Sequence, residues 1–115
     1  MKNLVRIYKA LSDPNRVRIV KMLEQRSLCV CEITSILKLA TSTVSKHLAI
    51  LRDAGLIDEY KHGKWVNFCL NAEENSPYAP PILSQLSGWI NDDEVIKKDI
   101  QKVKTVDRNQ ICGID

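Results

Sequence analysis

The sequence predicts a mainly α-helical domain that carries one small β-hairpin. Apolar residues recur at helical spacing in two short segments between Leu28 and Leu56, and a tight connection joins the two segments. Two strand-like runs follow around a glycine-containing tip, and further helical segments lie before and after them. Two short helices followed directly by a hairpin are the arrangement of a winged helix-turn-helix.

Length and composition set the limits of this prediction. A chain of 115 residues, 44% hydrophobic and 27% charged, is typical of one ordinary globular domain, which we assign to residues 1–106, with 107–115 as a C-terminal tail. No apolar run approaches the roughly 18 residues of a membrane helix. The apolar stretch at the N-terminus is too short for a signal peptide. We therefore expect a cytoplasmic protein with no membrane partner.

The first two helices precede the central pair. Residues 2–11 are predicted to form an amphipathic helix whose apolar face comprises Leu4, Ile7, Tyr8 and Leu11. The run Ser12–Asn15 then supplies a capping side chain ahead of a proline, which suits the first turn of a second helix ending near Gln25. Arg16 and Arg18 lie near the start of that helix, against the preference of the helix dipole, so we expect an acidic or phosphate partner for them.

The central pair of helices presents a polar face. The first helix buries Val30, Ile33, Ile36 and Leu37; the second buries Val44, Leu48 and Leu51, and Gly55 supplies a left-handed cap. Steps of about 100° per residue from the buried Val44 turn Ser42 and Lys46 outward and place Thr41 and Ser45 at the edge. Such a small, hydroxylated and basic face can enter a DNA major groove. It could equally be a helix face that only contacts water.

The predicted hairpin has a basic tip at residues 61–64. Lys61 and Lys64 lie where phosphates beside a major groove would be neutralised, although any exposed hairpin tip tends to be polar. Charge along the chain is also uneven, with +5 over residues 1–26 and −3 over residues 72–115. A basic front suits an anionic polymer.

The C-terminal third predicts two more helices. One begins at Pro81, and its apolar residues are Ile82, Leu83, Leu86, Trp89 and Ile90. The run Asn91–Glu94 resembles a capping box that opens the other, whose apolar residues are Val95, Ile96, Ile100 and Val103. This is more apolar surface than a domain of this size covers, so we expect a homodimer formed through terminal helices. The alternative is that both helices only cap the core.

Four cysteines, Cys29, Cys31, Cys69 and Cys112, suggest a thiol site. Their spacing fits neither a disulfide framework nor a zinc ribbon. Cys29 and Cys31 would project about 200° apart on a regular helix but to one side of an extended segment, so a shared ion must reshape the first helical turn. We expect the helix N-terminus to lower their thiol pKa, and thiolates select soft ions.

The remaining two cysteines receive different interpretations. Cys112 lies in a tail that could move, so we take it as the candidate third ligand. Cys69 is expected to be a small core residue of the second strand. In the alternative interpretation, Cys29 and Cys31 are partly buried small residues that bind nothing.

Four stretches together resemble the ArsR/SmtB family of bacterial metal-responsive repressors: Ala10–Ile19, Leu28–Ile33, Ser42–Leu56 and Gly63–Asn71. The resemblance covers about residues 4–71. It implies a dimeric winged helix-turn-helix that occupies double-stranded operator DNA, blocks transcription and leaves when an inducer binds. Carried onto this chain, it implies DNA contacts by Thr41, Ser42, Ser45 and Lys46, with a wing at residues 61–64.

Two positions depart from the family pattern. Ala40 stands where the family usually has a hydroxyl cap. Thr34 stands where members that sense arsenite or antimonite often have a third cysteine, although a trivalent arsenical prefers three sulfurs. No histidine follows His62, so the carboxylate-and-histidine zinc site of some relatives is not expected here.

Four functional hypotheses follow. The first is a repressor that arsenite or antimonite releases from its operator through Cys29, Cys31 and Cys112. The second is a thiol redox sensor, or a sensor of cadmium, lead or copper(I), on the same fold. The third is a winged-helix module that binds proteins. An enzyme is the fourth and weakest, because no catalytic triad, phosphate loop or paired-carboxylate motif is present.

Overall fold

The structure is a computed structural model that describes residues 1–71 and 76–107, so Cys112 lies outside it. In chain order the elements are α1 (Lys2–Ala10), α2 (Pro14–Leu23), β1 (Leu28–Cys29), α3 (Val30–Leu37), α4 (Thr41–Asp53), β2 (Ile57–His62), β3 (Trp65–Leu70), α5 (Ala79–Ser87) and α6 (Glu94–Thr105). The predicted winged helix-turn-helix is confirmed, with α3 and α4 as the helix pair and β2–β3 as the wing. Within the described ranges no helix has the length and apolarity to cross a membrane.

The sheet is antiparallel, with β3 between β1 and β2. Asn67 of β3 is in register with Cys29 of β1 on one side and with Tyr60 of β2 on the other. Gly63, with φ +63°, and Lys64 form the two-residue turn, and glycine at the first turn position is typical of tight hairpins. The predicted tip is therefore too long, since Lys61 and His62 belong to β2.

Helix α4 has the predicted buried face and the predicted end. Val44, Leu48 and Leu51 are buried. At its end the backbone N–H of Gly55 donates to Arg52 O (2.9 Å) and that of Leu56 donates to Leu51 O (3.1 Å). These two bonds, with Gly55 at φ +81°, form a Schellman motif.

The start of α2 also follows the sequence prediction. Asp13 is its N-cap, and its carboxylate accepts from the backbone N–H groups of Asn15 (2.8 Å) and Arg16 (3.2 Å). Arg18 has the expected acidic partner, Asp99 of α6. Arg16 does not, because its guanidinium donates to the carbonyl of Ala10 (2.7 Å) instead.

One core hosts side chains from all six helices and from the sheet, and it includes a lysine that the sequence did not identify. Lys21 of α2 is fully buried, and its Nζ donates to Leu86 O at the end of α5 and to Glu24 Oε1, both at 2.8 Å. The apolar face predicted for α1 is confirmed at Ile7 but is wrong at Tyr8, which is 59% exposed.

The C-terminal helices differ from prediction at their boundaries. Helix α5 begins at Ala79 and ends at Ser87, so Trp89 and Ile90 lie in the connection to α6 rather than on a helix. Asn91 does not cap α6 in a capping box. The N-cap is Asp93, whose carboxylate accepts from the backbone N–H groups of Val95 (2.9 Å) and Ile96 (3.2 Å).

Candidate DNA-binding surface and thiol site

The outer face of α4 is exposed as expected. Thr41, Ser42, Ser45 and Lys46 are all exposed, on the side of the helix away from Val44 and Leu48. The start of the helix is weakly held, because its N-cap Ala40 makes no side-chain hydrogen bond. The face therefore offers three hydroxyls and one ammonium, which are the groups that hydrogen-bond to phosphates and base edges.

The wing is fixed to α4 by an ion pair. Arg52 near the end of α4 pairs with Glu59 of β2. Lys61 and Lys64 are exposed on the hairpin. The ion pair sets the orientation of these two lysines relative to the outer face of α4.

His47 of α4 has a polar partner that the sequence did not indicate. The half-buried imidazole faces Arg16 of α2, with 3.2 Å between Nη1 of Arg16 and Nδ1 of His47. A guanidinium only donates, so Nδ1 accepts and the ring proton is on Nε2. Since Arg16 also donates to Ala10 O at the end of α1, this side chain ties three helices together.

The two candidate thiols lie at the junction between β1 and α3. Cys29 ends β1 and is the N-cap of α3, with extended backbone (φ −89°, ψ 169°), whereas Cys31 is already in the first helical turn. Cys29 is only 2% exposed and Cys31 is half-buried. Cys29 is a free thiol and Cys31 is disulfide-bonded. An ion shared by the two sulfurs therefore requires reduction of Cys31 and opening of this junction.

A capping box holds the junction closed. Glu32 Oε1 accepts from the backbone N–H of Cys29 at 3.0 Å, and the Cys29 side chain accepts in return from the backbone N–H of Glu32. Burial raises the pKa of the Cys29 thiol, the Glu32 carboxylate adds to the rise, and backbone amides oppose it. The expectation that the helix N-terminus lowers this pKa is wrong, because desolvation of the thiolate outweighs the helix amides.

The other candidate ligands do not complete a site in the described part of the chain. No group of three His, Cys, Asp or Glu side chains suited to a metal ion occurs among residues 1–71 and 76–107. The proposed third ligand, Cys112, falls outside these ranges. Cys69 is not the core residue that was expected, since it is half-buried with Sγ 3.9 Å from the carbonyl of Asp58.

Exposed apolar side chains cluster on the terminal helices. Helix α6 turns Ile96 and Val103 into the core and leaves Val95 exposed. The remaining large exposed apolar residues of these regions are Val5 and Tyr8 of α1 and Trp89 and Ile90 before α6. The terminal helices thus cap the core and also present an uncovered apolar surface.

Known proteins resemble this chain in sequence and in structure. Residues 13–59 match the family described as "Bacterial regulatory protein, arsR family". The arsenical resistance operon repressor of Escherichia coli K12 is 34% identical over 115 residues, which cover 96% of this chain and 90% of that protein. A cadmium resistance regulatory protein CadC homolog of Staphylococcus aureus is 38% identical over 72 residues, 62% of this chain and 60% of that protein. The structure of HlyU from Vibrio cholerae superposes with a TM-score of 0.65 at 30% identity, covering 77% of this chain and 92% of that one.

Proposed function

Because the chain belongs to the arsR family of bacterial regulatory proteins, we propose that it is a repressor that a soft metalloid, arsenite or antimonite, releases from operator DNA. Membership makes it a transcriptional regulator and not an enzyme. One observation carries the choice of ligand class. Two cysteines flank the junction at which α3 begins, and α3 packs against the DNA-facing helix α4.

The DNA-binding half of the proposal assigns α4 to the major groove. Thr41, Ser42, Ser45 and Lys46 contact the DNA, and Lys61 and Lys64 of the wing neutralise flanking phosphates. Exposure of all six side chains and the Arg52–Glu59 pair that orients the wing support this assignment.

The proposal includes a homodimer formed through the terminal helices. A second copy would cover the apolar side chains that α1 and the start of α6 expose, among them Tyr8, Trp89 and Val95. Two copies related by a twofold axis present two α4 helices to a palindromic operator.

The inducer half assigns Cys29, Cys31 and Cys112 as ligands. Soft thiolates bind trivalent arsenic and antimony and disfavour hard cations such as magnesium. Because Cys29 is buried and extended while Cys31 is helical, bringing their sulfurs onto one ion opens the first turn of α3. Movement of α3 displaces α4, and the DNA is released.

The test is a titration of the reduced protein on labelled operator DNA with arsenite, antimonite, cadmium, zinc and peroxide. Arsenite or antimonite should release DNA from wild type and from Cys69→Ser, and not from the Cys29→Ser, Cys31→Ser double variant. Cys69 is a matched control, since it is also a cysteine of partial burial with a raised pKa. Equal release from the double variant would overturn the ligand assignment.

A second candidate function is thiol redox sensing. The observation in its favour is the disulfide at Cys31. Release of DNA by peroxide, reversed by a reductant and absent in Cys31→Ser, would support it over metalloid sensing. A wild-type protein that keeps its DNA under peroxide would exclude it.

A further inference from the structure

Arg26, in the short connection between α2 and β1, contacts two distant parts of the chain. Its Nη2 donates to Glu32 Oε2 of α3 and to the carbonyls of Val103 and Val106 at the end of α6, each at 3.1 Å. Its Nη1 donates to the carbonyl of Ser27 at 3.2 Å. One guanidinium therefore joins the start of α3 to the end of α6.

The same carboxylate also holds the thiol junction. Glu32 is nearly fully buried, and its two oxygens have different partners: Oε1 accepts from the backbone N–H of Cys29, and Oε2 accepts from Arg26. A buried carboxylate is costly without partners, so loss of either contact disturbs the other. The last carbonyls of a helix lack partners within it, and here Arg26 supplies them.

We infer that Arg26 is the positioning residue that couples the Cys29–Cys31 junction to the last turn of α6. This inference rests on the proposed function. When the two thiols converge on a ligand, the N–H of Cys29 leaves Glu32, the carboxylate shifts, and Arg26 releases the carbonyls of Val103 and Val106. The end of α6 then loosens.

The surroundings allow this movement. A polar cleft of about 320 Å³ lies beside the guanidinium, between Tyr60 and Asn67 of the sheet and Val106 after α6. It gives Arg26 and Glu32 room to turn toward water. Because α6 also exposes Val95, the coupling carries a signal from the thiols toward the proposed dimer surface.

The first experiment needs no ligand and measures amide hydrogen exchange in two directions. Glu32→Ala, on α3, should speed exchange at residues 103–107, and Arg26→Gln should speed exchange at Cys29 and Val30. Lys104→Gln is the matched control, because it removes an exposed cation from the last turn of α6 without touching Glu32. If Arg26→Gln does not fold, Arg26→Lys replaces it, since one ammonium cannot bridge a carboxylate and two carbonyls in this geometry. Folded variants without these cross-effects would overturn the inference.

The second experiment measures coupling with sodium arsenite as the probe. The ratio of DNA affinities without and with arsenite should fall at least about fivefold in Arg26→Lys, the lower end of ordinary coupling between sites. Arsenite affinity of the DNA-free protein and DNA affinity without arsenite should stay near wild type. An unchanged ratio would overturn the inference while leaving the proposed function intact. Failure of arsenite to bind reduced wild type would instead overturn the proposed function, and the ligand-free exchange experiment would still decide the role of Arg26.

Discussion

Arg18 of α2 and Asp99 of α6 are far apart in the chain, yet their side chains form a two-point ion pair. Nε and Nη2 of Arg18 donate to the two carboxylate oxygens of Asp99 at 2.8 and 3.0 Å. Asp99 is 1% exposed, so its carboxylate depends on this partner. The hydrogen bonds to Asp99 raise the pKa of Arg18, and burial opposes the rise. The pair fixes α6 against α2 before any partner subunit is added.

Replacing Asp99 with alanine should lower the free energy of unfolding by about 3 kcal/mol, because a partly buried guanidinium loses its anion. Urea unfolding followed by circular dichroism measures the change. The control is Glu94→Ala on the same helix, which removes the exposed Glu94–Lys97 pair and should have no measurable effect. Equal losses from both substitutions would mean that Asp99 contributes nothing beyond a surface charge.

Gly55→Ala should lower stability by about 1 kcal/mol, because an L-residue pays a conformational cost at a positive φ. A Cβ at Gly55 meets no atom within 4 Å, so the loss is conformational and not steric. Gly88 is the matched control: it caps α5 at φ −91°, and Gly88→Ala should be neutral or stabilising. Thermal unfolding of both variants gives the comparison, and a stable Gly55→Ala protein would contradict it.

DNA affinity should fall steeply with salt, and Lys46→Ala and Lys64→Ala should each reduce the slope of log K against log salt by about 0.9. Fluorescence anisotropy at several salt concentrations measures the slope. Lys97→Ala, an exposed lysine of α6, should leave it unchanged. Binding that ignores salt would favour the protein-interaction module over a DNA-binding repressor.

The raised pKa of Cys29 predicts a loss of stability in alkaline solution. The folded protein holds the thiol proton more tightly than the unfolded chain, so the stabilisation is fully present below a pH of about 9, the ordinary value for this thiol, and is lost as the pH rises through the higher folded value. Unfolding free energies of the reduced protein between pH 7 and 10 should therefore fall further in wild type than in Cys29→Ser. Parallel curves for the two proteins would show that Cys29 titrates alike in both states.

Thr34→Cys should tighten arsenite binding. Residue 34 lies one helical turn after Cys31, and the Thr34 hydroxyl is buried without a hydrogen-bond partner, so its loss costs little. Calorimetric titration of the reduced protein measures the affinity. Thr34→Val is the control, which should be at least as stable as wild type and show no gain. A Thr34→Cys protein with wild-type affinity would show that residue 34 does not reach the ligand.

Local chemistry explains the features that the sequence predicted well. Asp13 before a proline, Gly55 after the last apolar residue of α4 and Gly63 in the hairpin each act through neighbouring backbone groups. These interactions are complete within a few residues, so they can be recognised without knowledge of the fold. The exposed face of α4 was predictable for the same reason, since helical periodicity determines it.

The features that the sequence missed depend on contacts between distant segments. Lys21 is buried because the carbonyl of Leu86, 65 positions away, accepts its proton. Arg26 gains its role only when α6 reaches the start of α3. Trp89 continues the apolar spacing of α5, but the helix has already ended at Ser87. The pKa of Cys29 follows from its burial, which its own neighbours in the chain do not reveal.

The register of Asn67 gives the sheet a mechanical meaning. This residue pairs laterally with Cys29 on one side and with Tyr60 on the other, and it lies three positions from Lys64 at the end of the hairpin. Sensing and reading therefore share a single strand, with a very short lever between them. A shift of the β1 backbone pulls directly on the arm that grips the flanking phosphates, and the protein can loosen its hold on a duplex from two sides at once.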